Sequence, residues 1–197
     1  MGRKKIIIGI TGGLAAGKTT VAGMLAEKGA LKIDADRIGH QILEENKAVR
    51  RMIIDSLGKG ILSGGDIDRR KLRKKVFSDR KSLEKIERLL HPLIVRRIRE
   101  EIGCHSEGTI LIDAPLLLET GLNKIVDLIV VIKADSEAVT KRAADRGFSE
   151  QDAKNIIARQ MPLSDKLRLA DYVIDNSGNL NRTKKGVDKL WKRIQEL

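Results

Sequence analysis

The chain has 197 residues, 34% of them charged and 41% apolar, and a formal net charge of +12; it is too apolar for wholesale disorder, and its length suits one domain with an insertion or two small lobes. A single cysteine, Cys104, excludes an intrachain disulfide and a multi-cysteine zinc site, while three scattered histidines (His40, His91, His105) argue against a metal cage. The positive balance admits nucleic acid, a membrane surface or small polyanions as partners, or a plain solvated surface. Four aromatic residues (Phe77, Phe148, Tyr172, Trp191) make a base-stacking platform hard to build.

Arg3-Lys4-Lys5 ahead of the apolar residues 6–10 imitates the start of a signal peptide, but Thr11-Gly12-Gly13 ends the run after five residues, too few for an h-region. Ile6 stands where a myristoylation motif needs Ser or Thr, and no stretch approaches the roughly 18 apolar residues of a membrane span. The expectation is a soluble, cytoplasmic protein without a membrane partner.

Residues 6–10 read instead as the first of five short strands rich in Ile and Val, the others being 31–33, 109–112, 128–132 and 172–174. Continuous apolar runs, rather than alternation, suit an α/β fold whose parallel sheet is covered on both faces. Helical patterns lie between them at 18–28, 138–146, 150–160 and the C-terminal segment bearing Val187, Leu190, Trp191 and Ile194. The second and third strands are separated by residues 35–108, far more than the dozen a crossover needs. That interval predicts helices over 38–57, 69–77, 83–90 and 93–102 with a glycine-rich turn at 58–65, an inserted helical subdomain able to cover a substrate.

Between the first strand and the first helix, Gly12-Gly13-Leu14-Ala15-Ala16-Gly17-Lys18-Thr19 fits G-x-x-x-x-G-K-[ST]. Glycines there let backbone N–H groups converge on phosphate oxygens, and the helix N-terminus adds positive potential. Lys18 would reach the β- and γ-phosphates and the Thr19 hydroxyl would ligate Mg²⁺. Asp113, ending the third strand, either holds Mg²⁺ or its water shell or caps a turn. Asp34 and Asp36 end the second strand, one of them a candidate base for an acceptor hydroxyl or both turn and helix caps. Arg142 and Arg146, four apart on one helix face, with Arg159 on the next helix, suggest an arginine-bearing lid, or simply a solvated face. Six of the seven residues 69–75 are basic, suited to a phosphate-rich ligand, to nucleic acid or to solvent.

These residues together resemble the dephospho-CoA kinase family, within the P-loop nucleoside monophosphate kinase-like group. The resemblance runs through Ile8-Gly9-Ile10-Thr11-Gly12-Gly13, Asp34-Ala35-Asp36 with Ile38 and His40, and Ile67-Asp68-Arg69 with Leu72 and Val76-Phe77. It continues through His91-Pro92, Asp113-Ala114-Pro115-Leu116-Leu117-Leu118-Glu119, Gln160 and 170–178. It implies a three-layer P-loop NTPase fold with a five-stranded parallel sheet. The core would take about 1–34, 109–134 and 163–197, the CoA-binding insertion about 35–108 and the lid about 135–162. It also implies transfer of the ATP γ-phosphoryl group to the ribose 3′-hydroxyl of dephospho-CoA, the last step of CoA synthesis.

By the same resemblance Asp36 is the general base, Arg142 the lid arginine ahead of Arg146, and Lys18 the phosphate-binding lysine. Residues 12–20, ending in Thr20, hold ATP, with Asn176 and Gly178 bordering its adenine. Asp34, Asp36, His40, Arg69 and His91 face the acceptor, and Thr19 and Asp113 the Mg²⁺. The partners implied are ATP and dephospho-CoA, with no nucleic acid, in a monomer or small homo-oligomer. The chain departs from the family pattern at Ala15-Ala16, where Gly-Ser is usual; an alanine placed there at positive φ costs about 1 kcal/mol or more. Another departure is Gly65-Asp66-Ile67-Asp68 in place of D-G-x-L-D. Rival readings are a nucleoside or nucleotide kinase of the same fold and a nucleic-acid-binding P-loop NTPase.

Overall fold

The computed structural model describes residues 4–197, the side chains of Arg69, Arg73, Phe77, Ser78 and Arg80 excepted. In chain order the elements are β1 (Ile6–Gly12), α1 (Lys18–Glu27), β2 (Leu31–Asp34), α2 (Ala35–Glu45), α3 (Lys47–Leu57), β3 (Leu62–Ser63), β4 (Asp66–Ile67), α4 (Arg69–Ser78) and α5 (Arg80–Gly103). They continue with β5 (Thr109–Asp113), β6 (Leu128–Lys133), α6 (Ser136–Asp145), α7 (Glu150–Ile157), α8 (Leu163–Arg168), β7 (Tyr172–Asp175) and α9 (Leu180–Gln195). Single 3₁₀ turns stand at Lys59–Ile61 and Leu122–Ile125. No helix among the described residues is long and apolar enough to cross a membrane.

The chain divides into two compact units, one of residues 4–34 and 102–197, the other Ala35–Glu101. The inserted unit thus ends at Glu101, short of the bound near 108 expected from sequence.

In the first unit the five strands form one parallel sheet in the order β2-β5-β1-β6-β7. Each of the five apolar runs became a strand, extended by the one charged residue that follows it or, in β1, by Thr11 and Gly12. From β1 the chain passes through α1 to β2, two places away, and β5 later fills the gap. The strand order therefore reverses around β1, which makes a crevice beyond its carboxyl end, the general ligand position in open α/β sheets. The core joins Ile8, Ile10, Val130 and Ile132 to Val21 and Leu25 of α1 and Val187, Leu190 and Ile194 of α9.

The second unit is helical around its own core of Val49, Ile53, Ile61, Leu72, Ile86 and Leu90. Two local outcomes differ from the sequence expectation. The helix expected over 38–57 is broken at Asn46, whose extended backbone and Oδ1, accepting from the N–H groups of Ala48 and Val49 (both 3.1 Å), start α3 afresh. Conversely, 83–90 and 93–102 form a single helix, α5, which runs through Pro92. An internal proline costs about 3 kcal/mol, whereas Ile86, Leu90 and Ile98, all buried on this helix, return about 1.5–3 kcal/mol each. Burial wins. The glycine-rich turn holds a small antiparallel hairpin, β3 with β4, whose two connecting residues, Gly64 and Gly65, both have positive φ (59° and 89°) as the tightest hairpin turn demands.

Candidate active site

The loop from Gly12 to Thr19 leaves the end of β1, at the strand-order reversal, and delivers the chain into α1. Gly17 is the N-cap of that helix at φ 91°, with no side-chain cap for the first-turn N–H groups, an arrangement suited to an anion. Two glycines here answer to different constraints. A Cβ on Gly12 would meet the Ile132 carbonyl oxygen at 2.4 Å, and one on Gly17 would lie 1.9 Å from Asn176 Nδ2. Ala15 has φ 53°, and among the described residues no other non-glycine has positive φ. Ala15 therefore does carry the left-handed conformation expected for it from the sequence.

Lys18, in the first turn of α1, does not point into solvent. Its Nζ donates to Asp113 Oδ1 at 2.9 Å, and Asp113 is only 5% exposed. The other oxygen of the same carboxylate, Oδ2, takes Lys32 Nζ at 3.0 Å, and Lys32 also lies 3.5 Å from Asp34 Oδ2. Register explains the meeting: Asp34 pairs with Asp113 across β2 and β5, and Lys32, two residues before Asp34, shares its face. Burial works against the charge on Lys32. The hydrogen bond and charge of Asp113, followed by those of Asp34, outweigh it and raise the ammonium above the ordinary lysine value. Lys32 was not among the expected site residues; its alternation with Asp34 puts the two on one face, but Asp113, the partner that gives it a role, is brought in only by the pairing of β2 with β5.

The far side of the loop rests on Asn176, which is buried just past the end of β7. Its Nδ2 donates to the Ala16 carbonyl (2.8 Å), and its Oδ1 accepts from Thr183 Oγ1 (2.7 Å). Arg142, the expected lid arginine, lies on this side: Nη2 donates to the Asn176 carbonyl (2.9 Å), while Nη1 is buried without a hydrogen-bond partner. That nitrogen would stand 3.7 Å from a Cβ on Gly17. A buried, unsatisfied guanidinium N–H so close to the phosphate loop fits an anionic ligand. Arg146 ends α6 as an exposed C-cap, and Gly178 is exposed. Ahead of them Asp175 is held down to about 2 by the Ser177 hydroxyl and N–H, and secondarily by Lys133. Ser177 Oγ in turn accepts from the Asp135 N–H at the start of α6 (2.9 Å).

Thr19 and Thr20 are exposed on α1. Thr19 and Asp113 are a hydroxyl and a carboxylate, hard oxygen donors of the kind Mg²⁺ takes when phosphates and water complete its shell. No all-protein cluster of three or more His, Cys, Asp or Glu occurs among the described residues.

In the second unit Asp36 is exposed in the first turn of α2, where the helix dipole favours a carboxylate. His40 follows one turn later and lines a cavity of about 250 Å³ with Leu43, Arg50, Asp66 and Leu72. His91 is half-buried in α5. The Arg69 side chain lies outside the described residues.

One buried ion pair was not foreseen. Lys166 of α8 is 1% exposed, and its Nζ donates to Glu119 Oε1 and the Pro115 carbonyl (2.9 Å each), with Thr11 Oγ1 at 3.4 Å. Thr11 Oγ1 itself donates to the Pro115 carbonyl (2.9 Å), and Glu119 Oε1 also accepts from the Met161 N–H (2.8 Å). The strand feeding the phosphate loop, the segment after Asp113 and the chain leaving α7 are thereby tied to one ammonium group. Glu119 closes the motif already noted, but a lone lysine in a six-residue helix gave no hint.

The chain matches the dephospho-CoA kinase family profile over residues 6–182. It is 40% identical to a dephospho-CoA kinase of Aquifex aeolicus across 95% of this chain and 96% of that one. Among solved structures it resembles one from Thermus thermophilus (TM-score 0.83, 28% identity, 98% and 99% of the two chains). A second is the dephospho-CoA kinase from Campylobacter jejuni (TM-score 0.72, 25% identity, 98% of each chain).

Proposed function

The chain belongs to the dephospho-CoA kinase family, and on that premise we propose that it transfers the γ-phosphoryl group of ATP to the ribose 3′-hydroxyl of dephospho-CoA, giving CoA and ADP. The family match carries the reading, because it spans both the phosphate loop and Asp34-Ala35-Asp36. A phosphate loop alone identifies only a superfamily.

In this reaction the 3′-oxygen forms a bond to the γ-phosphorus as the bond to the β–γ bridging oxygen breaks. Asp36 orients the hydroxyl and accepts its proton late, since a loose transition state needs little nucleophilic push. Lys18 turns to the β- and γ-phosphates, the backbone N–H groups of 12–20 cradle them, and Arg142, backed by Arg146, adds guanidinium charge. Thr19 and Asp113 are assigned to hold Mg²⁺, which when bound offsets charge on the phosphate oxygens. Asn176 and Gly178 border the adenine, and Asp34, His40, Arg69 and His91 serve the acceptor. The lid is assigned to 135–162. The protein is further proposed to be cytoplasmic, to act as a monomer or small homo-oligomer, and to need no nucleic acid.

The test is a panel of acceptors (dephospho-CoA, adenosine, AMP and uridine) with ATP and Mg²⁺, the position of the new phosphate being read from the product. Phosphorylation of dephospho-CoA at the 3′-oxygen, in preference to the other three, is expected. Preference for a nucleoside or nucleotide would move the chain to a neighbouring kinase activity.

A further inference from the structure

Asp113 presents a problem that the phosphate-loop chemistry alone does not resolve. Its carboxylate is 5% exposed, and Lys18 holds one of its oxygens. If Lys18 turns to the phosphates of ATP, this nearly buried carboxylate loses a countercharge, which is costly. The same carboxylate, stripped of all cations, would bind a divalent ion whether or not nucleotide were present. The structure places a second ammonium group, Lys32, on the other oxygen at 3.0 Å, with Asp34 at 3.5 Å. Lys18, Lys32, Asp34 and Asp113 form a cluster whose two positive and two negative charges cancel.

We propose that Lys32 is a positioning residue that serves as the standing countercharge of Asp113. It remains on Oδ2 when Lys18 leaves for the phosphates, and it keeps the carboxylates from capturing a divalent cation ahead of ATP. Asp113 Oδ1, once Lys18 turns away, is then the oxygen left to face a divalent ion that arrives with ATP. Geometry favours this division of labour. Lys18 sits on the helix that begins at the phosphate loop, within reach of either partner. Lys32 sits on β2, the strand paired with β5, and its ammonium lies against both carboxylates. The inference rests on the assignment of Asp113 to the metal side of the site.

The experiment titrates nucleotide-free protein with Mn²⁺, following the free-ion signal by electron paramagnetic resonance. Lys32→Met removes the charge and keeps most of the side-chain volume; Lys32→Arg keeps the charge; Lys32→Gln is a second neutral variant should the first fold poorly. At least tenfold tighter Mn²⁺ binding is expected for K32M and K32Q, with K32R near wild type, and the gain should vanish in K32M/D113N. Equal Mn²⁺ affinity in wild type and both neutral variants would overturn the proposal, as would a gain that survives D113N. Because the readout is metal binding without substrate, its failure stands apart from a failure of CoA formation, which the acceptor panel measures on the wild-type protein.

Discussion

Replacing Gly17 by alanine isolates the physics that shapes the nucleotide site. At φ 91° an alanine takes on the left-handed conformation, at about 1–2 kcal/mol. Its Cβ would also sit 1.9 Å from Asn176 Nδ2, so the amide must move and release the Ala16 carbonyl (2.8 Å) or the Thr183 hydroxyl (2.7 Å). Each buried group left unpaired costs about 1–3 kcal/mol. The total is roughly 2–5 kcal/mol, and for a chain of this size about 2–4 °C of Tm per kcal/mol gives a drop on the order of 10 °C. Thermal melts followed by circular dichroism, with urea melts for the free energy, measure it. The double-mutant cycle with Asn176→Ala supplies the stringent check: without the amide to collide with, G17A should cost only the backbone part, about 1–2 kcal/mol. A G17A protein melting with the wild type, or one losing as much stability in the N176A background, would refute the reasoning.

Three further outcomes are expected. Lys166→Met strands the Glu119 carboxylate without its countercharge and should cost about 2–4 kcal/mol, the Glu119 side chain being 20% exposed. K166M/E119Q, which keeps an acceptor for Met161, should recover most of that in urea melts, and no recovery would count against a charge-pair origin. Asp36→Asn should lower kcat by roughly 10²–10⁴-fold with little change in the KM for ATP, and near-normal kcat would remove Asp36 from the role of base. Asp175 has a folded pKa of about 2 against an ordinary 3.8, so its ionised form favours the fold. That contribution is complete above about pH 4 and is lost as pH falls through 2. D175N should flatten the stability slope between pH 4 and 2, and parallel slopes for the two proteins would show that the Ser177 contacts contribute nothing.

What the amino-acid order disclosed depended on whether a signal was local. Five strands were visible because a parallel sheet buried on both faces needs unbroken apolar runs, and 6–10 or 128–132 have no other soluble use. The phosphate loop was visible because its chemistry is confined to eight consecutive residues, and even the left-handed alanine at 15 was legible from its place in the pattern. The two lysines that complete the ion pairs were not. Lys32 acquires its meaning only when β5 lies beside β2, and Lys166 only when Thr11, Pro115 and Glu119 converge, contacts spanning 47 to 155 residues of sequence. The helix break at Asn46 and the unbroken helix through Pro92 pull in opposite directions for one reason: a side-chain cap decided the first and tertiary burial the second, and neither is visible in periodicity.

The pairing of β2 with β5 also bears on how the protein reaches its native state. Leu31 to Asp34 lie against Ile110 to Asp113, and the whole of residues 35–108 intervenes. Closing a flexible loop of ~75 residues costs on the order of 4 kcal/mol before the first bond between the strands forms. A second unit with its own core, already collapsed, replaces that floppy interval with an object of fixed ends. The adjacent pair β6 and β7 closes over a far shorter stretch, through α6, α7 and α8. Refolding followed by hydrogen exchange should therefore protect β6 amides before those of β2. The carboxylates at 34 and 113, joined through Lys32, would be among the last groups of the sheet to find each other.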